Sequence, residues 1–246
     1  MGTVEEPRLA WTLVADRRLD AHSQAVALDR LSFFLSLADD LRPFYALARQ
    51  DPVFSAVVDR LYGYHQVKFP TPFENACWAI LTQRTSTAVA HHWKRDLIER
   101  CGGALTVDGV TYRAFPTPQD VLRAPPDEVF AVVDTLRKGE YLLAAAQAFA
   151  AVDEAWLRGG PLDDVYRWLR RVKGLGEWSA AFVLLRGLGR TERLLLGRDE
   201  STFAQEIRRV AARVYSPTIT VAEIRALAER YGPWQGYWAH YLRAAG

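Results

Sequence analysis

The spacing of apolar and polar residues predicts a chain that is mostly helical. Residues 8–30 alternate in places, as in LAWTLVA and QAVALDRL, and a period of two favours two or three short strands. From Ser32 onward the apolar residues recur at helical spacing instead. We therefore predict a mainly α fold, with a small, partly β element over residues 1–40 and a helical part over residues 41–246.

Prolines and glycines mark the ends of several of these helices. Pro72 predicts the start of one helix in FPTPFENACWAI, and Gly102 the end of the next, after an interruption at AILTQRTS. The run RKGEYLLAAAQAFAAV indicates a strongly apolar helix. A later amphipathic helix is predicted over residues 202–214, where four apolar side chains share one stripe: Phe203, Ile207, Val210 and Val214.

The stretch VKGLGEWSAAFVLL places a two-glycine turn between a polar-faced run and an almost wholly apolar one. Leu175 can pack inward while Gly174 and Gly176 adopt conformations that larger residues resist. The second helix then begins near Glu177 with free backbone N–H groups, which attract phosphate, and Lys173 adds positive charge. The pattern favours a grip on a sugar-phosphate backbone that reads no bases. An ordinary tight connection between two packed helices would use the same glycines.

Positive charge is concentrated late in the chain. The net charge is +2, but residues 170–246 contain 13 Arg and Lys against 7 Asp and Glu. This imbalance favours a polyanionic partner such as nucleic acid. A solvated, arginine-rich surface would give the same count.

The residue types exclude several kinds of site. Cys77 and Cys101 are the only cysteines, too few for a four-cysteine zinc or iron–sulfur site, and the five histidines show no metal-ligand spacing. We therefore expect no metal site built from side chains and no organic cofactor. No apolar run approaches the roughly 18 residues that cross a bilayer, and the N-terminus lacks the apolar core of a signal peptide. These features predict a cytoplasmic protein without membrane contact.

The hairpin stretch and three other segments together resemble the helix-hairpin-helix (HhH-GPD) superfamily of DNA glycosylases. The three segments are PFENACWAILTQRTS, RKGEYLLAAAQAF and AERYGPWQGYWAHYL, and the likeness runs from residue 31 to 242 in the family's order. Within the superfamily the chain is most similar to the bacterial type II 3-methyladenine DNA glycosylases. The resemblance implies a two-lobed helical fold with the hairpin at residues 163–187. It also implies a monomer that binds double-stranded DNA with a damaged base, and a monovalent cation that some members hold at the hairpin.

The resemblance places a catalytic carboxylate just before a helix, about twenty residues after the hairpin. The stretch LLLGRDESTFAQEI offers Asp199 and Glu200, 23 and 24 positions beyond Gly176. A carboxylate there would stabilise the oxocarbenium-like sugar that forms as the base departs, and would orient the attacking water. Asp199 has the residue type of the family and Glu200 has its register. Both remain candidates, with Asp199 preferred.

Aromatic residues follow the hairpin at positions that match the base pocket of the alkylpurine enzymes. Trp178 and Phe182 lie one helical turn apart, and Trp238 is a further candidate. Cationic N-alkylated purines gain cation–π attraction in such a pocket, although plain core packing would use the same aromatic residues. Trp178 also occupies the position of the Schiff-base lysine of the lyase members. Without that amine no imine forms, so the resemblance implies a monofunctional enzyme that uses water.

Base flipping requires a side chain that fills the gap in the duplex. The matching loop here contains Gln83 and Arg84, and Arg84 replaces the aliphatic wedge of the most similar enzymes. A guanidinium can stack on bases and reach their polar edges. The sequence thus predicts a base excision repair glycosylase that flips and hydrolytically excises alkylated purines such as 3-methyladenine. Two alternatives stay open: a non-catalytic helix-hairpin-helix DNA-binding protein, or a glycosylase for oxidised or deaminated bases.

Overall fold

The computed structural model describes residues 9–245, and helices dominate this part of the chain. In chain order the elements are α1 (Ala21–Leu35), α2 (Arg42–Ala48), α3 (Pro52–Arg60), α4 (Pro72–Leu81), α5 (Thr87–Cys101), β1 (Ala104–Val107), β2 (Val110–Arg113), α6 (Pro118–Arg123), α7 (Pro126–Phe130), α8 (Leu136–Ala150), α9 (Glu154–Gly159), α10 (Leu162–Arg171), α11 (Glu177–Phe182), α12 (Thr202–Val214), α13 (Val221–Glu229) and α14 (Gln235–Ala245). A π-helical turn, Val183–Gly187, continues α11, and a 3₁₀ turn, Gly232–Trp234, precedes α14. Within residues 9–245 no helix combines the length and the apolar character that crossing a membrane requires.

Side-chain caps fix the start of the helices that border the site. The hydroxyl of Ser86 accepts a hydrogen bond from the third residue of α5, and Thr135 caps α8 in the same way. Ser201 caps α12, where its Oγ accepts from the Ala204 N–H at 3.1 Å. Each cap satisfies one of the free N–H groups of a helix N-terminus, which stabilises a helix by about 1 kcal/mol. The positions predicted for these helices from proline and apolar spacing are confirmed to within a few residues.

The buried side chains form two separate cores, so the predicted two-lobed architecture is confirmed. The first core joins α2 and α3 to α12, α13 and α14; its fully buried members include Phe44, Phe54, Ile207, Tyr231 and Tyr241. The second core is formed by all the helices from α4 through α11; its members include Ile80, Leu97, Leu142, Leu169 and Val183. The second helix of the hairpin, α11, borders both cores. Ala180 and the following Val183 belong to the second core, while Trp178 packs against the first.

The predicted N-terminal β element is wrong within the described residues. Between residues 9 and 40 the chain contains no strand, and it forms α1 after the Asp20 carboxylate accepts the Ser23 N–H at 2.7 Å. The alternating apolar residues at 9–14 are exposed, because no neighbouring strand pairs with them. Residues 1–8 of the predicted element lie outside the described part of the chain.

Two short strands occur elsewhere. β1 and β2 form an antiparallel hairpin in which Val107 pairs with Val110. Asp108 and Gly109 make its turn, both with positive φ (50° and 79°). The strands have four residues each and are mostly exposed, so they carry almost no apolar pattern. The dipeptide Asp-Gly between β-prone residues is the signal that predicts such a hairpin.

Candidate nucleic-acid interface

The turn between α10 and α11 contains two glycines, but the structure requires glycine at only one of the two positions. Gly174 has φ +95°, and a Cβ there would lie 2.6 Å from the Tyr141 ring, so both its backbone conformation and its packing require glycine. Gly176 has φ −82°, which any residue adopts, so the prediction that both glycines need special conformations holds only for Gly174. A Cβ on Gly176 would meet nothing within 4 Å. Leu175 is 4% exposed and packs in the second core, as predicted.

The start of the helix after this turn is open to an anion. Gly176 is the N-cap of α11, and no side chain bonds to the first N–H groups, which include that of Glu177. Unpaired N–H groups and the positive end of the helix dipole attract phosphate oxygens. Because Gly176 has no side chain, an anion can approach this backbone closely.

Surface ion pairs flank the turn. Lys173 Nζ lies 2.8 Å from the Glu140 carboxylate, and Arg170 lies 3.4 Å from that of Glu177. Exposed pairs of this kind contribute at most about 1 kcal/mol, so a phosphate can replace the carboxylate as partner at little cost. Arg171 is exposed and has no ion pair among residues 9–245. The turn is therefore bordered by cations that are available to a polyanion.

The loop between α4 and α5 is fastened to this turn. Gln83 Nε2 donates a hydrogen bond of 2.7 Å to the Gly174 carbonyl. Thr85 Oγ1 donates to the Gln83 carbonyl at 3.0 Å and accepts from Lys138 Nζ. Between these anchored residues Arg84 is exposed, with a left-handed φ of 51°. The loop thus presents Arg84 beside the hairpin.

Lys138 contacts this loop, which the sequence did not predict. It lies in the first turn of α8, and its Nζ is 4.2 Å from the centroid of the Trp93 ring. Burial lowers the pKa of Lys138 against a smaller, opposite effect of Asp134. Its position near the start of a capped helix was readable from the sequence, but its contact with the Thr85 loop was not.

The two candidate carboxylates lie on the loop that leads into α12, and their surroundings differ. Asp199 Oδ1 accepts a hydrogen bond of 2.9 Å from Arg225, which also donates to the Gly197 carbonyl at 2.6 Å. Glu200, immediately before the cap of α12, is exposed and has no hydrogen bond or ion pair within the described chain. The charge of Asp199 is therefore compensated, whereas that of Glu200 is free.

The loop of residues 197–200, called the acidic loop below, begins against the start of α11, the second helix of the hairpin, which is called the hairpin helix below. A Cβ on Gly197 would be 3.2 Å from Glu177 Oε2, and the φ of Gly197 is +69°. The contact brings Gly197, where this loop begins, close to the side chain of Glu177, the first residue of α11. The loop that carries both candidate carboxylates thus begins next to the first residue of α11, some twenty residues earlier in the sequence.

Aromatic side chains line the hairpin helix where the two cores meet. Trp178 and Phe182 stack with ring centroids 5.0 Å apart and planes at 16°. Phe182 also meets Phe69 edge-on at 5.9 Å, and the Phe69 N–H donates to the carbonyl of Arg186 at 2.7 Å. Both predicted aromatic residues are only half-buried, so part of each ring is open to solvent.

Trp238, in contrast, belongs to the first core. Its side chain is 0% exposed, its indole N–H donates to the Tyr215 hydroxyl at 3.0 Å, and its ring stacks on Tyr231. A ring so enclosed and hydrogen-bonded cannot contact a flipped base, and we remove Trp238 from the candidate pocket. On α14, Gly236 packs against Leu185 of the π-helical turn, and the charges of Arg186 and Arg243 both act on His240.

Three polar residues follow on α14 and on the π-helical turn: His240, Arg243 and Arg186. The His240 ring stacks on Tyr64 at 4.7 Å with planes at 6°. Burial, followed by Arg186 and Arg243, lowers the pKa of His240 to about 4, so the ring is neutral at pH 7. Arg243 pairs with Glu206 at 2.9 Å. Burial and then Arg243 also lower the pKa of Arg186, which has no ion pair within residues 9–245.

Side-chain metal ligands do not cluster in the described chain: residues 9–245 contain no group of three or more His, Cys, Asp or Glu that could hold a metal ion. At the hairpin, two carbonyl oxygens already accept hydrogen bonds. That of Val172 accepts from the Leu175 N–H at 3.0 Å, and that of Gly174 accepts from Gln83. A monovalent cation at the hairpin stays a prediction, and no step proposed below depends on it.

Comparison with known proteins gives consistent likenesses. A model of the family described as HhH-GPD superfamily base excision DNA repair protein matches residues 77–233. A Bacillus subtilis DNA-3-methyladenine glycosylase is 27% identical over 211 residues, which cover 85% of this chain and 68% of the relative. The Escherichia coli DNA-3-methyladenine glycosylase 2 is 30% identical over 165 residues, 67% of this chain and 54% of the relative. Among solved structures, a 3-methyladenine DNA glycosylase from Archaeoglobus fulgidus superposes with a TM-score of 0.74 at 23% identity, covering 92% of this chain and 75% of that one.

Proposed function

This chain belongs to the HhH-GPD superfamily of base excision DNA repair proteins, as the sequence predicted, and from that premise we propose its activity. We propose a monofunctional DNA glycosylase that flips an alkylated purine, such as 3-methyladenine, out of duplex DNA and hydrolyses its N-glycosidic bond. The observation that carries this proposal is the contact of the acidic loop at Gly197 with Glu177, the first residue after the open glycine turn. This contact supports the proposal because Asp199 and Glu200 follow Gly197 directly in the loop. The sequence relatives that are named 3-methyladenine glycosylases support the substrate class.

The first step is a grip on the DNA backbone. The N–H groups at Gly176 and Glu177 would bind phosphate oxygens. Lys173 would exchange its carboxylate partner for phosphate, and Arg171 would exchange water for phosphate. These contacts carry no sequence information, which suits a repair protein that must act anywhere in DNA. They fix the sugar next to the acidic loop.

The second step is extrusion of the damaged nucleotide. Arg84 would enter the space that the base leaves, with its guanidinium plane stacked on the neighbouring bases. Because Gln83 ties this loop to the hairpin, the wedge and the phosphate grip would move as one rigid unit. Weakly paired, alkylated bases are the easiest to extrude.

The third step is cleavage of the bond between base and sugar. As the bond breaks, positive charge develops on the deoxyribose, and an ionised carboxylate beside it stabilises that state. We assign this role to Glu200, because the Asp199 carboxylate is held by Arg225, which the Gly197 carbonyl holds in turn, whereas Glu200 has no partner within residues 9–245. This assignment reverses the preference for Asp199 that the sequence suggested. Water then attacks the sugar, and the absence of a lysine at Trp178 leaves no route through an imine.

The proposal is tested by incubating the protein with duplex DNA methylated by dimethyl sulfate and measuring free bases by chromatography. We expect release of methylated purines without strand cleavage. Glu200→Gln should reduce single-turnover release by at least about 100-fold, whereas Asp199→Asn should reduce it less than about fivefold. Binding of an abasic-site duplex should remain in both variants.

Each alternative gives a distinct result in the same experiment. Tight DNA binding without any base release by the unmodified protein would indicate a non-catalytic DNA-binding protein. Release from oxidised or deaminated DNA but not from methylated DNA would indicate the other class of glycosylase. If Asp199→Asn alone abolishes release, Asp199 is the catalytic carboxylate and the assignment to Glu200 is wrong.

A further inference from the structure

A half-buried cation contacts the loop that carries Arg84, and the steps proposed above do not use it. Lys138 Nζ donates a hydrogen bond to Thr85 Oγ1 and lies 4.2 Å from the centroid of the Trp93 ring. The ring is 7% exposed, and the ammonium group forms no ion pair within the described chain. An apolar side chain would cover Trp93 without the cost of withdrawing a charge from water. The charge therefore indicates a use other than packing.

The chemistry of the ammonium group fixes the direction of the hydrogen bonds in this loop. An ammonium group can only donate, so the Thr85 hydroxyl accepts from Lys138 and keeps its own proton for another acceptor. That acceptor is the Gln83 carbonyl, 3.0 Å from Thr85 Oγ1. Hydrogen bonds linked in such a chain strengthen one another. Lys138 thus acts on the backbone of the loop through a single hydroxyl group.

The residue enclosed by this chain of hydrogen bonds has an unfavourable backbone conformation. Arg84 has a φ of 51°, in the left-handed region that costs free energy for any residue with a Cβ. Such a conformation persists only where the surroundings enforce it. The bond from the Thr85 hydroxyl to the Gln83 carbonyl joins the residue after Arg84 to the residue before it. The group that enforces the conformation of Arg84 is therefore the one that Lys138 holds.

The helices on both sides leave only three residues of this loop to be positioned. Thr82 is the C-cap of α4 and Ser86 is the N-cap of α5, so residues 83–85 alone join the two helices. The side chain of the first of these three is bonded to the hairpin carbonyl, and that of the third is bonded to Lys138. The middle residue, Arg84, is exposed. Two contacts from outside the loop thus determine where the guanidinium begins.

We propose that Lys138 is a positioning residue for the insertion of Arg84 into DNA; this rests on the function proposed above. By holding Thr85, it keeps Arg84 in the left-handed conformation before DNA arrives. A loop that becomes ordered only on binding loses conformational entropy at that moment. A loop that is already ordered avoids this loss, which shifts the equilibrium toward the flipped nucleotide. Lys138 itself takes no part in cleavage of the bond between base and sugar.

The test compares two forms of one substrate, because only one of them needs the inserted side chain. A methylated base in duplex DNA must be extruded and its gap filled, whereas the same base in a single strand has no partner strand to leave. Lys138→Met packs on Trp93 but cannot donate a hydrogen bond. It should lower single-turnover release of 3-methyladenine from a methylated duplex about tenfold, and release from the same methylated oligonucleotide as a single strand less than about twofold.

Three further variants separate positioning from folding and from loss of charge. Thr85→Val removes the hydroxyl and should cause the same loss, and in combination with Lys138→Met it should cause no further loss, because both break one chain of bonds. Lys138→Arg keeps a charged donor that stacks on Trp93, so it should retain most of the release from duplex DNA. Arg137→Met removes the neighbouring cation, whose Nε donates to the Tyr141 hydroxyl and not to the loop. It should leave the ratio of duplex to single-strand release unchanged.

The outcomes separate this inference from the proposed function. No release from either substrate by the unmodified protein would overturn the proposed glycosylase, whatever the variants do. A ratio of duplex to single-strand release that Lys138→Met leaves unchanged would overturn only the positioning role, and additive losses in Lys138→Met and Thr85→Val would do the same. Partial unfolding of a variant lowers release from both substrates and so leaves the ratio intact. If the unmodified protein acts on duplex DNA alone, fluorescence of 2-aminopurine beside the lesion decides: an unchanged flipped fraction in Lys138→Met overturns the role.

Discussion

The side-chain amide of Gln83 donates a 2.7 Å hydrogen bond to the backbone carbonyl of Gly174, although the two residues are 91 positions apart in the sequence. One belongs to the loop that would enter the DNA and the other to the turn that would hold its backbone. The bond makes the two loops one unit, so the position of the wedge depends on the phosphate grip.

We expect Gln83→Ala to uncouple them. Loss of a hydrogen bond of about 1 kcal/mol, roughly a fivefold change in an equilibrium constant, should lower the fraction of flipped nucleotide by about that factor. Fluorescence of 2-aminopurine opposite or beside the lesion measures flipping. Arg84→Ala is the comparison: it removes the wedge itself and should reduce flipping further. Equal flipping in Gln83→Ala and the unmodified protein would mean that the bond positions nothing.

The two hairpin glycines should respond differently to substitution. Gly174→Ala places a Cβ on the Tyr141 ring at a positive φ, so we expect a loss of at least about 2 kcal/mol in the free energy of unfolding. A Cβ on Gly176 would meet nothing within 4 Å, so Gly176→Val should fold with nearly unchanged stability but bind every DNA sequence more weakly. Denaturant unfolding and DNA titrations measure the two effects. Changed lesion preference with unchanged affinity in Gly176→Val would contradict the assignment of the hairpin.

DNA affinity should fall steeply with salt, because each phosphate contact releases counterions. Lys173→Ala should weaken binding to all sequences and reduce the slope of log affinity against log salt concentration by about 1. Fluorescence anisotropy at several salt concentrations measures this slope. Glu140→Gln, which frees Lys173 from its carboxylate partner, should strengthen binding slightly; a slope that neither substitution alters would place Lys173 outside the interface.

Burial of His240 should make the protein less stable in acid. The pKa of this imidazole is about 4 in the folded protein and near 6.5 in the unfolded chain. Between these two pH values the unfolded chain therefore binds a proton that the folded protein does not bind. The stabilisation that the neutral ring gives to the folded protein is fully present above pH 6.5 and is lost as the pH falls toward 4. Relative to His240→Phe, the unmodified protein should lose about 2 kcal/mol of unfolding free energy between pH 7.5 and 4.5. Urea unfolding of both proteins at the two pH values measures it. Parallel losses in both proteins would indicate that the ring is accessible to protons.

The sequence by itself determined the helices, the hairpin and the family. Pro72, the glycines of the turn and the stripe of apolar residues from Phe203 to Val214 act on the chain within one or two helical turns of themselves, so their effect is visible in a local pattern. For the same reason the β-hairpin turn at Asp108 and Gly109 could have been predicted from the sequence. The alternating residues at 9–14 led to the wrong prediction of strands, because alternation produces a strand only when a partner strand is present.

Only the tertiary structure decided how the site is assembled. Trp238 and Trp178 are both tryptophans on helices, but Trp238 is enclosed in a core and Trp178 is only half-buried. Asp199 and Glu200 are neighbours, yet only Asp199 meets Arg225, 26 positions away. The stack of Tyr64 on His240 joins segments from opposite ends of the chain. Burial, charge compensation and hydrogen-bond partners depend on distances across the folded molecule, and a linear pattern contains no such distances.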